Sequence, residues 1–342
     1  MKMKSKLLKI AVAGVISLSS VGVFSATLED VESSFYPYKN GAPSADGLSV
    51  GMTINKDNWQ TVQDSIDPAF LEYIKKGWTE IKVGETTSFD LHPNYVEATR
   101  KYLSTVALGD QPGVLNGSDA GRPFPEEPSL DDPRAGEKLA WNYKYGYNWG
   151  DNAAIYPFYW KYRNLKTGKT ERTLKFNFHF LNYVHRVNQE PLPAIEPNPS
   201  NLFRAIYVQV ESPFDVKNTQ LLIHRMQDDL KRDNAWLYLG FQRRVRRLAT
   251  GQVTDSFLGS DIMIEDFEGY NGRISDMHWN YKGTRNILLP FYNHNEQQLD
   301  PDTHKDDEGY QVVAFGGQGG CFPNVSWQLR KVYEVEAVPV DE

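Results

Sequence analysis

The residues best equipped for chemistry lie between positions 236 and 283. Arg243, Arg244, Arg246 and Arg247 form a cationic cluster after the aromatic run Trp236-Leu237-Tyr238-Leu239-Gly240-Phe241. Guanidinium groups hold planar anions in bidentate pairs, which suits carboxylate and phosphate recognition. On a strand, Arg244 and Arg246 share one face, whereas Arg243 and Arg247 share the other with Val245. Asp261, Glu265, Asp266 and Glu268 follow within one short segment. Two readings stay open. The arginines pair with these carboxylates inside the fold, or Arg244 and Arg246 form a rim for an anionic headgroup or an acidic partner.

Other reactive residue types fail on spacing. His294, Asp300, Asp302, His304, Asp306, Asp307 and Glu308 crowd one loop, but no twelve-residue calcium loop or zinc-finger spacing is present. This cluster is expected to be a solvated acidic loop, with no metal. His92, His179, His185, His224 and His278 are scattered. Gly259-Ser260-Asp261 lacks the second glycine of a nucleophile elbow. The run Gly316-Gly317-Gln318-Gly319-Gly320 precedes neither a helix nor a Lys-Ser/Thr pair, so it is not a phosphate loop. Cys321 is the single cysteine, has no disulfide partner in the chain and reads as a small packed residue. We therefore expect no catalytic residue, no cofactor and a protein that is not an enzyme.

Charge and the N-terminus narrow the setting. Lys2, Lys4, Lys6 and Lys9 precede an apolar stretch that ends at Ser25-Ala26. That pattern predicts a signal peptide over residues 1–26, cut near residue 25 or 26, and a periplasmic protein, in some cases held at the outer membrane. Losing four lysines takes the net charge from −7 to −11. So acidic a protein is no partner for nucleic acid, whose phosphates need a basic surface.

The elements that must position any site come next. Aromatics at 13% favour β structure. Residues 27–60 read as loop, and helices are predicted over 61–77 and 93–107 from apolar residues at helical spacing. The stretch 109–138, rich in proline and glycine, reads as a long loop. Trp141, Tyr143, Tyr145, Tyr147 and Trp149 then alternate with polar residues, which predicts a strand with one aromatic face. Further strands are expected at 155–162, 174–180, 204–211, 219–226, 235–247, 276–282, 286–291 and 327–337, in an antiparallel meander.

Several of these segments together resemble a known family. They are the Trp236–Gly283 stretch, Ala120-Gly121-Arg122-Pro123-Phe124-Pro125, Asp132-Pro133-Arg134-Ala135-Gly136 and Trp327-Gln328-Leu329-Arg330-Lys331-Val332-Tyr333. The chain resembles the exported proteobacterial proteins catalogued as domain of unknown function 1329, which are similar in fold to outer-membrane lipoprotein-sorting carriers. The resemblance implies an α+β, mostly β fold: a curved antiparallel half-barrel sheet with helices across its concave face. The N-terminal region 27–138 and the sheet region 139–342 would form one domain. Family members usually continue past the last strand, so the resemblance also implies a short member. It carries over no catalytic residue. The implied function is a non-enzymatic carrier or chaperone for a lipid or acyl chain, serving an envelope transporter or outer-membrane protein. Trp141, Tyr143, Tyr145, Tyr147, Phe176 and Phe178 would line its cavity. The alternatives are an exported hydrolase and a structural envelope protein without a ligand, in which the same rings are simply core.

Overall fold

The computed structural model describes residues 26–248, 256–300 and 311–340. Residues 1–25 of the predicted signal peptide and most of the acidic loop, from Asp302 to Glu308, lie outside the described residues. The protein is α+β and mostly β. Its first sheet is an open meander of six antiparallel strands in chain order: β5 (Asn152–Arg163), β6 (Thr170–Asn182), β7 (Leu202–Ser212), β8 (Gln220–Met226), β9 (Asn234–Leu239) and β10 (Arg244–Arg247). Alternation along β6 turns Leu174, Phe176, Phe178 and Phe180 to one face, where all four are buried. Register places Phe176 opposite Val210, Phe178 opposite Val208 and Ile206 opposite Ile223, so neighbouring strands build a continuous apolar surface.

That surface is covered by the segment 256–272. Phe267 stacks on Phe178 at 4.7 Å between ring centroids and meets Phe158 edge-on at 6.1 Å. The predicted helices lie elsewhere. Helix α2 (Pro68–Lys75), capped by Asp67, packs into the core of the second sheet. Helix α3 (Pro93–Tyr102) packs with α1 (Leu28–Phe35) around Val31, Phe35, Tyr95 and Val96. Helix α1 arises in the stretch read as loop. A Thr27–Asp30 capping box starts it, and eight residues are too few for a strong periodic signal.

The second sheet has the order β1 (Thr53–Ile54), β2 (Ile81–Val83), β14 (Ser326–Pro339), β11 (Met277–Leu289). Its β2–β14 pair is parallel and the others are antiparallel. Two short ribbons complete the strands: β3 (Ala107–Leu108) with β4 (Leu115–Asn116), and β12 (Phe315–Gly316) with β13 (Phe322–Pro323). The sheet region is thus not one meander: the last strand returns to the N-terminal region. Two strand boundaries also change. The predicted strands 276–282 and 286–291 are one strand, because Gly283, with φ of +136°, makes a bulge instead of a turn. The predicted strand 235–247 is a hairpin, turned through Gly240–Arg243 with Arg243 at φ +52°.

The largest correction concerns Trp141 to Trp149. Ala135–Lys144 is a helix, α4, and not an aromatic strand. Its buried residues Gly136, Glu137, Ala140 and Trp141 follow a helical stripe that coexists with the two-residue aromatic repeat. Packing decides between the two patterns. Gly136 brings α4 against β11 so closely that an added Cβ would lie 2.3 Å from the Trp279 carbonyl oxygen. Trp141 and Tyr145, four residues apart, stack at 5.5 Å.

Candidate functional site

A cleft of about 760 Å³ opens between α4, the ends of β7 and β8, the segment 268–274 and the strand pair β11–β14. Its walls are amphipathic. Phe124, Trp149, Phe203, Ile274, Trp279 and Val335 supply apolar surface. Seven basic side chains line it (Arg122, Lys144, Arg204, Arg225, Lys231, Arg273 and Lys331) against four acidic ones (Glu126, Asp229, Asp233 and Glu268). A cationic cleft on a protein of net charge −7 is a local device that the overall composition conceals.

One wall is fixed by Asp229, whose side chain has 0% exposure. It accepts hydrogen bonds from Ile274 N at 3.1 Å and Ser275 N at 2.8 Å, and forms an ion pair with Lys144 at the end of α4. Lys144 Nζ also lies 5.2 Å from the Trp141 ring centroid and 5.8 Å from that of Phe203. Beneath it, the Tyr145 and His185 rings stack at 3.6 Å. Desolvation, with the Lys144 charge second, pulls His185 down to about 3, so this imidazole is neutral near pH 7.

The opposite wall holds Arg204 of β7 and Arg225 of β8, directly opposite each other in the strand register. Both are buried. Arg204 donates from Nε to Asn182 Oδ1 at 2.7 Å, and its Nη1 lies 3.8 Å from Glu268 Oε2. Arg225 Nη1 donates to Asp233 Oδ2 at 2.7 Å and to Glu265 Oε1 at 3.0 Å. Its Nε and Nη2 are buried without a hydrogen-bond partner, as is Glu268 Oε1. Burial, opposed by Glu268 and reinforced by Arg225, draws Arg204 below its ordinary value. Burial also works against the Arg225 charge, but Glu265 and Asp233 outweigh it and hold Arg225 above its ordinary value. Both carboxyls rise above the usual carboxylate range through desolvation, with Arg225 opposing the rise at Glu265 and Arg204 at Glu268.

The structure disperses the residues singled out from sequence. Tyr143 lines the cleft and its hydroxyl donates to the Glu268 carbonyl. Trp141 and Tyr145 are packed beneath the cleft, while Tyr147 stacks on Tyr95 at 5.5 Å. Phe176 and Phe178 line a separate apolar chamber of about 50 Å³ under the segment 262–271. Arg244 and Arg246 are exposed on the edge strand β10, where Arg246 Nη2 donates to Gln242 Oε1 at 2.9 Å. The acidic segment does pair with arginines, but Glu265 and Glu268 meet Arg225 and Arg204 instead of the 243–247 cluster. Arg204 and Arg225 carried a signal that the cluster masked. Each falls on the same strand face as buried apolar residues, Ile206 and Val208 for one and Leu221 and Ile223 for the other. A charge at a core-facing position needs a reason. Among the described residues no group of three or more His, Cys, Asp or Glu could hold a metal ion.

Fold and site together define a mostly β protein with an open antiparallel sheet and an amphipathic, cationic cleft at one end. The chain belongs to the family described as protein of unknown function DUF1329, whose model matches residues 53–342. No curated protein matches it. Among solved structures, a DUF1329 family protein from Desulfovibrio piger ATCC 29098 aligns at 16% identity with a TM-score of 0.36, over 61% of this chain and 74% of that one. A domain described as an outer membrane lipoprotein-sorting protein from Vibrio parahaemolyticus aligns at 16% identity with a TM-score of 0.29, over 57% of this chain and 85% of that one.

Proposed function

We propose that this protein is a non-enzymatic carrier that binds an amphipathic lipid or acyl chain in the cleft beneath α4. The observation that supports the reading is the cleft itself. At about 760 Å³ it falls within the usual range of small-molecule sites, about 300–1,000 Å³, and it combines apolar walls with convergent cations. Transfer needs no covalent step: apolar surface leaves water on loading and moves to a better acceptor on release. The basic, then apolar N-terminal segment supports a periplasmic setting, and the partner that loads or unloads the carrier would be an envelope transporter or outer-membrane protein.

Titration with a bromine-labelled fatty acid tests the reading. Trp149 lines the cleft and is 43% exposed, so a seated chain quenches its fluorescence saturably at one equivalent. The Trp149→Phe variant should lose the Trp149 share of that quenching, leaving the share of Trp279, while binding the same amount of fatty acid by native mass spectrometry. Absence of saturable binding, together with no co-purified amphiphile in the native spectrum, would remove the carrier reading in favour of a structural envelope protein.

A further inference from the structure

Two buried arginines sit directly opposite each other on adjacent strands, Arg204 on β7 and Arg225 on β8. Like charges in that position repel and destabilise a sheet unless an anion lies between or beside them. Arginine does not shed its proton to relieve this, so both charges persist. In this chain Asp233 answers Arg225 at 2.7 Å, and the other neutralising carboxylates come from one segment, residues 262–268, which crosses the apolar face of the sheet. Glu265 reaches Arg225 at 3.0 Å, Glu268 approaches Arg204 at 3.8 Å, and Phe267 between them stacks on Phe178. The segment thus presents two carboxylates to the arginines and an apolar group to the sheet.

The fit is incomplete. Arg225 is 5% exposed, yet its Nε and Nη2 have no hydrogen-bond partner, and Glu268 Oε1 is likewise buried and unpartnered. Buried, charged donors left unmatched are costly, and a well-matched anion would satisfy them. The apolar chamber beneath Phe267 adjoins the cationic cleft, because Arg225 and Asn271 line both. Its volume of about 50 Å³ is less than two waters' share of the liquid, at about 30 Å³ each, so no acyl chain enters while Phe267 is seated.

We infer that Arg204 and Arg225 are the headgroup anchor for an anionic amphiphile, and that residues 262–268 occupy that anchor and the adjoining apolar chamber until the ligand displaces them. The inference rests on the carrier reading and deepens it. The head is a carboxylate or phosphate held by the two guanidinium groups. The tail runs from the cleft, past Arg225 and Asn271, into the place that Phe267 holds against Phe158, Phe178, Leu221 and Ile223. The acidic segment is an internal competitor that keeps the sheet face covered in the unloaded protein.

Dodecanoate, dodecyl phosphate and neutral dodecanol, titrated separately into the full chain, test this. Wild-type protein should bind both anions about tenfold or more tightly than the alcohol, and the preferred anion identifies the head. Glu268→Gln removes a competing charge with little change of shape, so it should tighten anion binding several-fold and leave dodecanol unchanged. Arg204→Gln should reduce the preference for anions severalfold, while Arg204→Lys retains more of it. Glu268→Gln decides the matter even if Arg204→Gln does not fold. Equal binding of anions and alcohol would overturn the headgroup anchor and leave the carrier reading standing. Unchanged anion affinity in Glu268→Gln would overturn the competition. Failure of all three probes to bind would overturn the carrier reading and this inference together.

Discussion

Replacing Asp229 by alanine should be among the most damaging single changes outside the apolar cores. Its side chain is fully buried and ties three groups together: the backbone amides of Ile274 and Ser275, and Lys144 at the end of α4. Alanine leaves two amides without an acceptor, that of Ile274 buried and that of Ser275 half-buried, at about 1–3 kcal/mol each when no water replaces the carboxylate. It also leaves Lys144, whose side chain is only 14% exposed, without its counter-charge. Breaking a buried ion pair from one side costs about 3–5 kcal/mol, and the terms overlap, so about 4 kcal/mol is expected in total. That is a large part of the roughly 5–15 kcal/mol that stabilises a typical protein. In urea, at a slope of about 2–3 kcal/mol/M, the midpoint should fall by roughly 1.3–2 M. Lys144→Met alone should cost less, because Asp229 keeps both amide donors. The double variant should be more stable than the summed losses imply, with a coupling of at least about 1 kcal/mol. A loss below about 1 kcal/mol for Asp229→Ala, or coupling within about 0.5 kcal/mol of zero, would refute the argument that this carboxylate is the tie between α4 and the 274–276 turn.

Two further outcomes follow from the packing around the cleft. Gly136→Ala gains about 1 kcal/mol of helix propensity, but its Cβ would lie 2.3 Å from the Trp279 carbonyl oxygen, so the clash should win and the melting temperature should drop; a rise would mean that α4 and β11 do not approach this closely. His185 is held near 3 in the folded chain against about 6.5 unfolded, so below pH 6.5 the unfolded state binds a proton that the native state excludes. Stability from this group is therefore complete above about pH 6.5 and declines toward pH 3, by at most about 1.4 kcal/mol per pH unit. Urea midpoints measured at pH 7 and 4.5 should fall further for wild type than for His185→Phe, and parallel falls would show that another group governs acid sensitivity.

The class of the fold was legible in local pattern. Alternation along Leu174, Phe176, Phe178 and Phe180 specifies a strand with one buried face whatever its neighbours, and the meander of β5 to β9 follows from such runs, joined by short connections except for the long one over residues 183–201. Apolar residues at helical spacing likewise announced α2 and α3, although both helices are shorter than predicted. The family was readable too, since the quoted segments fall within the region that its model matches. What the sequence could not settle was any choice that depended on distant contacts. Trp141 to Trp149 carries both a two-residue repeat and a helical stripe, and the close seat of Gly136 on β11 favours the helix. The pairing of β14 with β2, more than 200 residues away, has no local signature. The candidate site was hidden for the same reason. The visible cluster at Arg243–Arg247 forms a solvent-facing edge, while Arg204 and Arg225 stand apart in sequence and become a pair only through strand register. Residue type alone shows that a charge exists. Only the fold determines whether water or a buried carboxylate answers it, and that difference makes one set of arginines a surface and the other an anchor.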